Sequence, residues 1–439
     1  MSREPGFPPP QPVEKVDNKL ITEVRHYKLI TPLYGGGVKP AIADPVTTIR
    51  ATEVRGHLRF WWRATRGGGF DGDLQKMKEA EDLLWGAAST SKKPRPSHVQ
   101  VEVACPSKGT DKQPFTVTNS KDKRGNPKSK IVEDDTIAPP YAAFPMRPEE
   151  KGLTSNTPIQ NVKDGVNFVL TITYSMTNKA DVEASLWAWE TFGGIGARTR
   201  RGFGALQLTK ILKNDVEQPV SCPRALEVGK YIREGLAQHI KEGVWPQNLP
   251  HLSIEVRRKV MDPQSDAMKA WSGLIEKYRQ FRQKRTDGKY GESEWPEADA
   301  IRRIVGKARS QSDSALHATN PVDKFPRAQF GLPIIFHFKD TDDPDDTTLQ
   351  GKNADRLTSP LILRPLGCTG GQAVGLALIM DAPSILPDGL ILKGAPADPS
   401  VKVELTLPEA RRVDALKDNT ELRTKAQTVD ILQAFLNSL

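Results

Sequence analysis

Thr52-Glu-Val-Arg-Gly-His-Leu-Arg-Phe-Trp-Trp-Arg-Ala-Thr-Arg-Gly-Gly-Gly69 is the stretch whose reading decides the rest of the chain. Thr52 can cap a helix, Glu53 places a negative charge in the first turn, and the three glycines end it. A helix advances about 100° per residue, which sorts the side chains into two faces. Arg55, Arg59, Trp62, Arg63 and Arg66 share an arc of roughly 100°, whereas Leu58, Phe60, Trp61 and Ala64 point the other way. The second set reads as core. The first carries four guanidiniums, one indole and no acid, which suits phosphates beside a base or another flat group. A face that is solvated, or paired with acids elsewhere in the chain, is the plainer reading. Against it stand the missing i,i+4 glutamate partner and the single sign of charge.

Upstream, Leu20 to Thr31 is β-rich and ends in the turn Thr31-Pro-Leu-Tyr-Gly-Gly-Gly37, with Arg50 just before the helix. Downstream, Leu74 to Trp85 reads as a second helix stopped by Gly86, and Val99, Val101 and Val103 alternate as a strand. From 106 to 148 periodicity is lost. Lys108, Lys112, Lys121, Lys123, Arg124, Lys128 and Lys130 make this a long basic loop, either solvated or laid on a polyanion. Phe168, Leu170, Ile172 and Tyr174 alternate as a strand, Asp181 to Phe192 forms a helix, and a last strand reaches Thr209. Strand, helix, strand, strand, helix, strand is the split βαβ order of a ferredoxin-like domain, shared with the RNA-recognition fold.

Between that last helix and strand lies Gly193-Gly-Ile-Gly-Ala-Arg-Thr-Arg-Arg-Gly-Phe-Gly204. Its glycines, Gly194 and Gly196 among them, allow close backbone approach, and Arg198, Arg200 and Arg201 supply charge. It lacks the Gly-Lys-Ser/Thr of a nucleotide loop, and Thr199 stands where a dinucleotide fingerprint needs glycine. A tight turn is the usual meaning of such a loop. Its place in an RNA-recognition order favours a phosphate contact.

A polar, proline-punctuated linker begins near Lys213. The expected organisation is a disordered proline-rich tail at 1–19, a first ferredoxin-like domain at 20–212, a linker at 213–250 and a second such domain at 251–439. In that second half Leu252, Ile254 and Val256 alternate as a strand, followed by helices at Asp266 to Lys284 and Pro296 to Arg309. Further strands are expected near 332–338, 360–363, 373–380 and 401–407, and a final helix at Glu421 to Leu436. The fold class is α+β, two tandem ferredoxin-like domains with the basic loop inserted in the first.

The 439 residues carry a net charge of +9, which favours a polyanionic partner, and 37% hydrophobic residues, ordinary for a soluble protein. Cys105, Cys222 and Cys368 are far apart, so a disulfide framework or zinc ribbon is not expected and a cytoplasmic setting is. The opening residues lack the apolar core of a signal peptide, and no apolar run is long enough to span a bilayer, so no membrane partner is expected. The seven histidines show no metal-ligand spacing, and no metal or cofactor is expected. His57 falls on the inward side of the first helix, and His26 lies in a strand, where it could in principle activate a ribose hydroxyl. The aspartates from Asp340 to Asp346 lack the glycine and closing glutamate of a calcium loop.

Taken together, Thr31-Pro-Leu-Tyr-Gly-Gly-Gly37, Arg50, Arg55-Gly-His-Leu-Arg-Phe-Trp-Trp-Arg63, Glu79-Ala80, Leu84-Trp85-Gly86 and the Gly193–Gly204 loop resemble the RAMP superfamily of CRISPR-associated proteins. The Arg59-Phe-Trp-Trp-Arg63 core, with Arg356-Leu-Thr-Ser-Pro-Leu-Ile-Leu-Arg-Pro365, is similar to the family of first subunits of the Cmr (type III-B) effector complex. The basic insertion and the tail lie outside the resemblance. It implies a non-catalytic, cytoplasmic RNA-binding subunit of a ribonucleoprotein, near the 3′ end of the guide RNA. There it would help to engage target RNA beside a neighbouring RAMP subunit and the other subunits of the complex. The expected RNA-binding residues are Arg50, Arg55, Arg59, Trp62, Arg63, Arg66, Gly194, Gly196, Arg198, Arg200 and Arg201. Two alternatives stay open: a metal-independent ribonuclease processing guide RNA through His26 or His57, and a purely structural adaptor.

Overall fold

The structure is a computed structural model. It describes residues 20–439 except 40, 89–94, 122–124, 126, 151, 155, 287–291, 308–320, 339–341, 420–421, 423 and 426. The proline-rich tail, Lys123, Arg124 and Asp340 therefore lie outside the described residues.

Its elements run β1 (Leu20–Leu29), α1 (Ala51–Arg66), α2 (Leu74–Trp85), β2 (Gln100–Lys112), β3 (Phe115–Lys121), β4 (Pro127–Glu133), α3 (Pro140–Ala143), β5 (Val162–Ser175), α4 (Lys179–Phe192), β6 (Leu206–Lys213), β7 (Val216–Gln218) and α5 (Val228–His239). The first sheet has the order β2-β5-β1-β6-β7, every neighbour antiparallel. With α1 and α4 as crossovers, its first four strands form two interleaved βαβ units. Alternation sets its faces: Ile21, Glu23, Arg25 and Tyr27 of β1 are buried opposite Tyr174, Ile172, Leu170 and Phe168 of β5, under the helices. Tyr27 stacks on Phe168 at 4.8 Å and meets Trp189 of α4 edge-on at 5.6 Å.

The stretch read as a basic loop is built differently. β2 continues to Lys112 along β5, across a bulge between Ala104 and Ser107, and β3 and β4 then pair as an antiparallel ribbon. Buried Phe115 and Ile131 anchor its base, while Lys121, Lys128 and Lys130 are exposed. Beyond that base the ribbon is mainly serine, threonine, asparagine and lysine, so its apolar alternation is too short to signal a strand. The linker also proves to be part of the body. α5 packs on α4, stacking His239 on Trp187 at 5.1 Å, and Trp245 covers Gly67 and Gly68, where added side chains would meet it.

The second half contains β8 (Arg257–Val260), α6 (Ala267–Arg282), α7 (Glu297–Ile304), β9 (Ile334–Phe336), β10 (Thr347–Gly351), β11 (Leu361–Gly367), β12 (Ala373–Ile379), β13 (Leu390–Lys393), β14 (Ser400–Val401), α8 (Leu407–Ala410), β15 (Thr424–Lys425), β16 (Thr428–Val429) and α9 (Ile431–Asn437). Among the described residues it holds a three-stranded sheet, β11-β12-β8, and a separate four-stranded one, β14-β13-β10-β9, not a second four-stranded sheet with two crossover helices. The strand expected at Leu252 to Val256 starts only at Arg257, and the last helix only at Ile431, after the short β15–β16 pair. Leu252 and Val256 are buried by a turn that imitates strand alternation.

β11 and β12 are buried on both faces. Leu361, Leu363, Ala377 and Ile379 pack with Trp271, Leu274 and Tyr278 of α6. Ile362, Leu366, Val374, Leu376 and Leu378 join the core of the first half. Arg364 on that second face is 0% exposed. Its guanidinium donates to the carbonyls of Glu190 (2.9 Å), Gly193 (2.6 Å), Leu206 (3.1 Å) and its own neighbour Pro365 (3.0 Å). Burial pushes its pKa down to about 9. Arg364→Met leaves these carbonyls buried without their donor, and a loss of about 3 kcal/mol or more in urea unfolding is expected.

Candidate nucleic-acid interface

α1 begins one residue before Thr52, with Arg50 at the cap position, and its Val54, Leu58, Trp61 and Ala64 are buried as the face pattern requires. The arginine face is placed otherwise than the sequence reading expects. Glu81 of α2, 2% exposed, accepts from Arg59 Nε at 2.6 Å and from Arg63 at 2.5 Å. Arg59 also reaches Asp82 (3.3 Å) and the Gly86 carbonyl (2.8 Å). Arg66 Nε and Trp62 Nε1 both donate to Asp181 of α4 at 3.0 Å, and Trp62 is 3% exposed. Arg59, Arg63, Arg66 and Trp62 thus hold α2 and α4 against α1, and do not form a free cationic wall. Arg55 donates to the Trp85 carbonyl (3.1 Å) and Arg50 to the Gly36 carbonyl (2.7 Å), neither to an acid.

The glycine loop is likewise folded into the protein. Gly196, at φ +83°, donates its N–H to Glu53 at 2.9 Å, and a side chain there would meet the Tyr34 carbonyl. A side chain at Gly194 would press on the Phe203 and Gly204 carbonyls. These two glycines serve the chain's own packing and leave no opening for a ligand backbone. The loop sits where both halves meet: Trp271 of α6 donates to the Arg201 carbonyl at 2.7 Å and meets Phe203 edge-on at 4.8 Å.

The loop arginines are a different case. Arg198, itself left-handed at φ +57°, donates to the Ala142 carbonyl of α3 at 2.9 Å. Arg200 donates to the Ser359 carbonyl, and its guanidinium lies 5.8 Å from the centre of the Phe60 ring. Arg201 reaches the Leu361 carbonyl (2.9 Å) and the Tyr278 hydroxyl (3.2 Å), over whose ring it lies at 4.9 Å. Among the described residues no carboxylate pairs with any of the three. Burial, and then the charge of Arg201, push Arg198 and Arg200 down to about 10. The structure therefore brings together three cations in four residues without a counter-charge, beside Phe60 and Tyr278. Sequence reasoning named these arginines. It missed Phe60, Tyr34 and Tyr141 at their side, because those positions scan as core.

His57 lies flat against Trp189 at 6.3 Å, and burial lowers its pKa to about 4. His26 lies within β1, between Val169 and Lys210. Among the described residues no group of three or more His, Cys, Asp or Glu could hold a metal ion, and no helix is long and apolar enough to cross a membrane.

The model of the RAMP superfamily matches residues 26–207, the span from β1 to β6 that carries both arginine sets. Residues 26–207 are thus similar to a RAMP domain. CRISPR system Cmr subunit Cmr1-2 of Pyrococcus furiosus is 29% identical over 187 residues, which cover 41% of this chain and 90% of that protein. The crystal structure of Cmr1 from Pyrococcus furiosus, apo form, aligns over 85% of this chain and 94% of that one, with 18% identity and a TM-score of 0.46. A chain of the type III-B Cmr-beta complex bound to cognate target RNA aligns over 91% and 99%, with 14% identity and a TM-score of 0.47.

Two measurements test this account of the first half. Arg59→Ala and Glu81→Ala each lower the unfolding free energy by about 2–4 kcal/mol, and the double variant loses less than the sum, because the pair acts as a unit. His57 titrates near 6.5 when unfolded and about 4 when folded, so its contribution is full above pH 6.5 and is lost as the pH falls toward 4. The expected slope is up to about 1.4 kcal/mol per pH unit, and His57→Phe removes that share in urea titrations between pH 7 and 4.5.

Proposed function

We propose that this chain is a non-catalytic RNA-binding subunit of a Cmr-type (type III-B) CRISPR effector complex. It would act near the 3′ end of the guide RNA and help to engage target RNA beside a neighbouring RAMP subunit. The RAMP match, the Cmr relative and the motifs described above support the assignment to that complex. The observation that carries RNA binding is the acid-free group Arg198, Arg200 and Arg201. Partly buried cations held by carbonyl oxygens and the Tyr278 hydroxyl, all neutral acceptors, stand ready for an anion, and a phosphate supplies both the charge and the acceptors.

Among the expected RNA-binding residues the roles divide. Arg198, Arg200 and Arg201 contact phosphate. Arg50 and Arg55, with carbonyl partners alone, extend the cationic track along α1. Arg59, Arg63, Arg66 and Trp62 support that track through Glu81, Asp82 and Asp181, and Gly194 and Gly196 shape the loop. The second half reads as a reduced copy of the first: β11-β12-β8 repeats the order β2-β5-β1, with α6 after β8 as α1 follows β1.

The test is RNA binding by the full-length chain. For Arg198→Ala combined with Arg200→Ala, affinity for single-stranded RNA drops about tenfold or more. The slope of log affinity against log salt becomes shallower by about 1.4, two phosphates at about 0.7 each. Unchanged affinity and slope in a variant whose circular dichroism matches the native protein would remove this site.

A further inference from the structure

Gly56 sits in the middle of α1, where glycine weakens a helix relative to alanine. The glycines of the loop are needed by the fold; a side chain at Gly202, for example, would collide with Trp271. Gly56 is not. A Cβ added there meets nothing within 4 Å, and the residue is exposed. No contact inside the chain accounts for its being glycine.

Around it the acid Glu53 at i−3 is turned to the Gly196 N–H, and the other side chains are cationic, aromatic or polar. On the helical wheel Gly56 falls between Phe60 on one side and Arg59 and Arg63 on the other. The half-buried Phe60 ring stands edge-on to Trp61 at 5.1 Å and carries the Arg200 guanidinium 5.8 Å from its centre. Arg59 and Arg63 keep 24% and 28% of their side chains exposed despite their pairing with Glu81. The bare turn of helix therefore lies between the two arginine sets, with a flat ring at its edge.

We propose that the Gly56 strip is the floor of the RNA groove. The missing side chain lets one nucleotide of a single strand lie against α1, its base on the Phe60 ring and its phosphate at Arg200. This rests on the RNA-binding reading above and adds the point at which a base is held. The border argues for nucleic acid over a crossing helix from another protein. A helix seam would ring the glycine with apolar side chains, whereas Thr52, Arg59 and Arg63 occupy those places.

The experiment uses the full-length chain and a labelled single-stranded RNA of mixed sequence. Gly56→Ala and Gly56→Leu keep or raise the thermal midpoint, since both are better helix formers. Affinity falls about threefold for alanine and more than about tenfold for leucine, as the side chain fills the space of the base. The salt slope stays at the wild-type value, because no phosphate contact is lost. Phe60→Leu lowers affinity about fivefold or more by removing the stacking surface. Wild-type affinity in both Gly56 variants, while the Arg198 and Arg200 variant is impaired, overturns the floor and leaves RNA binding standing. Absence of RNA binding by the native chain overturns both. Normal RNA affinity with lost capture of a neighbouring RAMP subunit overturns the floor in favour of a protein contact.

Discussion

A guanidinium without a carboxylate partner holds the two halves of this protein together. Arg364 projects from β11 into the first half, and four backbone carbonyls solvate it in place of water. Two of them, at Glu190 and Gly193, belong to the end of α4, where the helix presents its unpaired carbonyls and the negative end of its dipole. A third, at Leu206, begins β6. The charge is tolerable only while all three segments stay in place, so one side chain fixes both ends of the glycine loop. The loop arginines inherit their positions from that constraint. Ser359 and Leu361, whose carbonyls receive Arg200 and Arg201, lie just before Arg364 on the same segment.

The same logic separates the two arginine sets, which look alike in sequence. On α1 the absence of an i,i+4 acid suggested open cations. The acids come instead from α2 and α4, at Glu81, Asp82 and Asp181, and only the packing of three helices brings them within reach. A helical wheel cannot see a partner more than a hundred residues away. Trp62 was misread for the same reason: beside arginines it scans as a stacking platform, but Asp181 takes its N–H and buries it. The loop arginines differ: three cations within four residues, on a tight turn, reach carbonyls and the Tyr278 hydroxyl, and among the described residues no carboxylate pairs with them.

The first half was legible where burial on one face imposed a period. β1, α1, α2, β5, α4 and β6 lie where alternation and helical spacing put them, and their order is the interleaved one expected. Legibility failed where that rule lapsed. The β3–β4 ribbon buries its base at Phe115 and Ile131 and is polar and exposed beyond it, so its hydrophobic alternation is too short to mark a strand. β11 and β12 are buried on both faces, so their apolar runs say strand without saying which side meets which half. The segment from 213 to 250 looked like a linker because prolines and charges punctuate it, yet α5 and Trp245 cover Trp187 and the glycines after α1. The two halves consequently share cores, and the boundary drawn between them from composition has no counterpart in packing.

That sharing bears on how an uncompensated cationic group survives in a folded protein. Holding Arg198, Arg200 and Arg201 close together opposes folding through mutual repulsion and partial loss of water, as the lowered proton affinity of two of them records. Covering carboxylates would relieve this, and the chain has them to hand: it brings three to the α1 arginines next door. Among the described residues it brings none to these three, and the one carboxylate at the loop, Glu53, is taken by the Gly196 N–H. Instead the joint core and the Arg364 contact hold the loop against the repulsion, and the guanidiniums stay oriented by carbonyls of both halves. Under the proposed RNA-binding role, repulsion that opposes folding would become attraction for a phosphate, where Ser359, Leu361 and Tyr278 of the second half meet the loop.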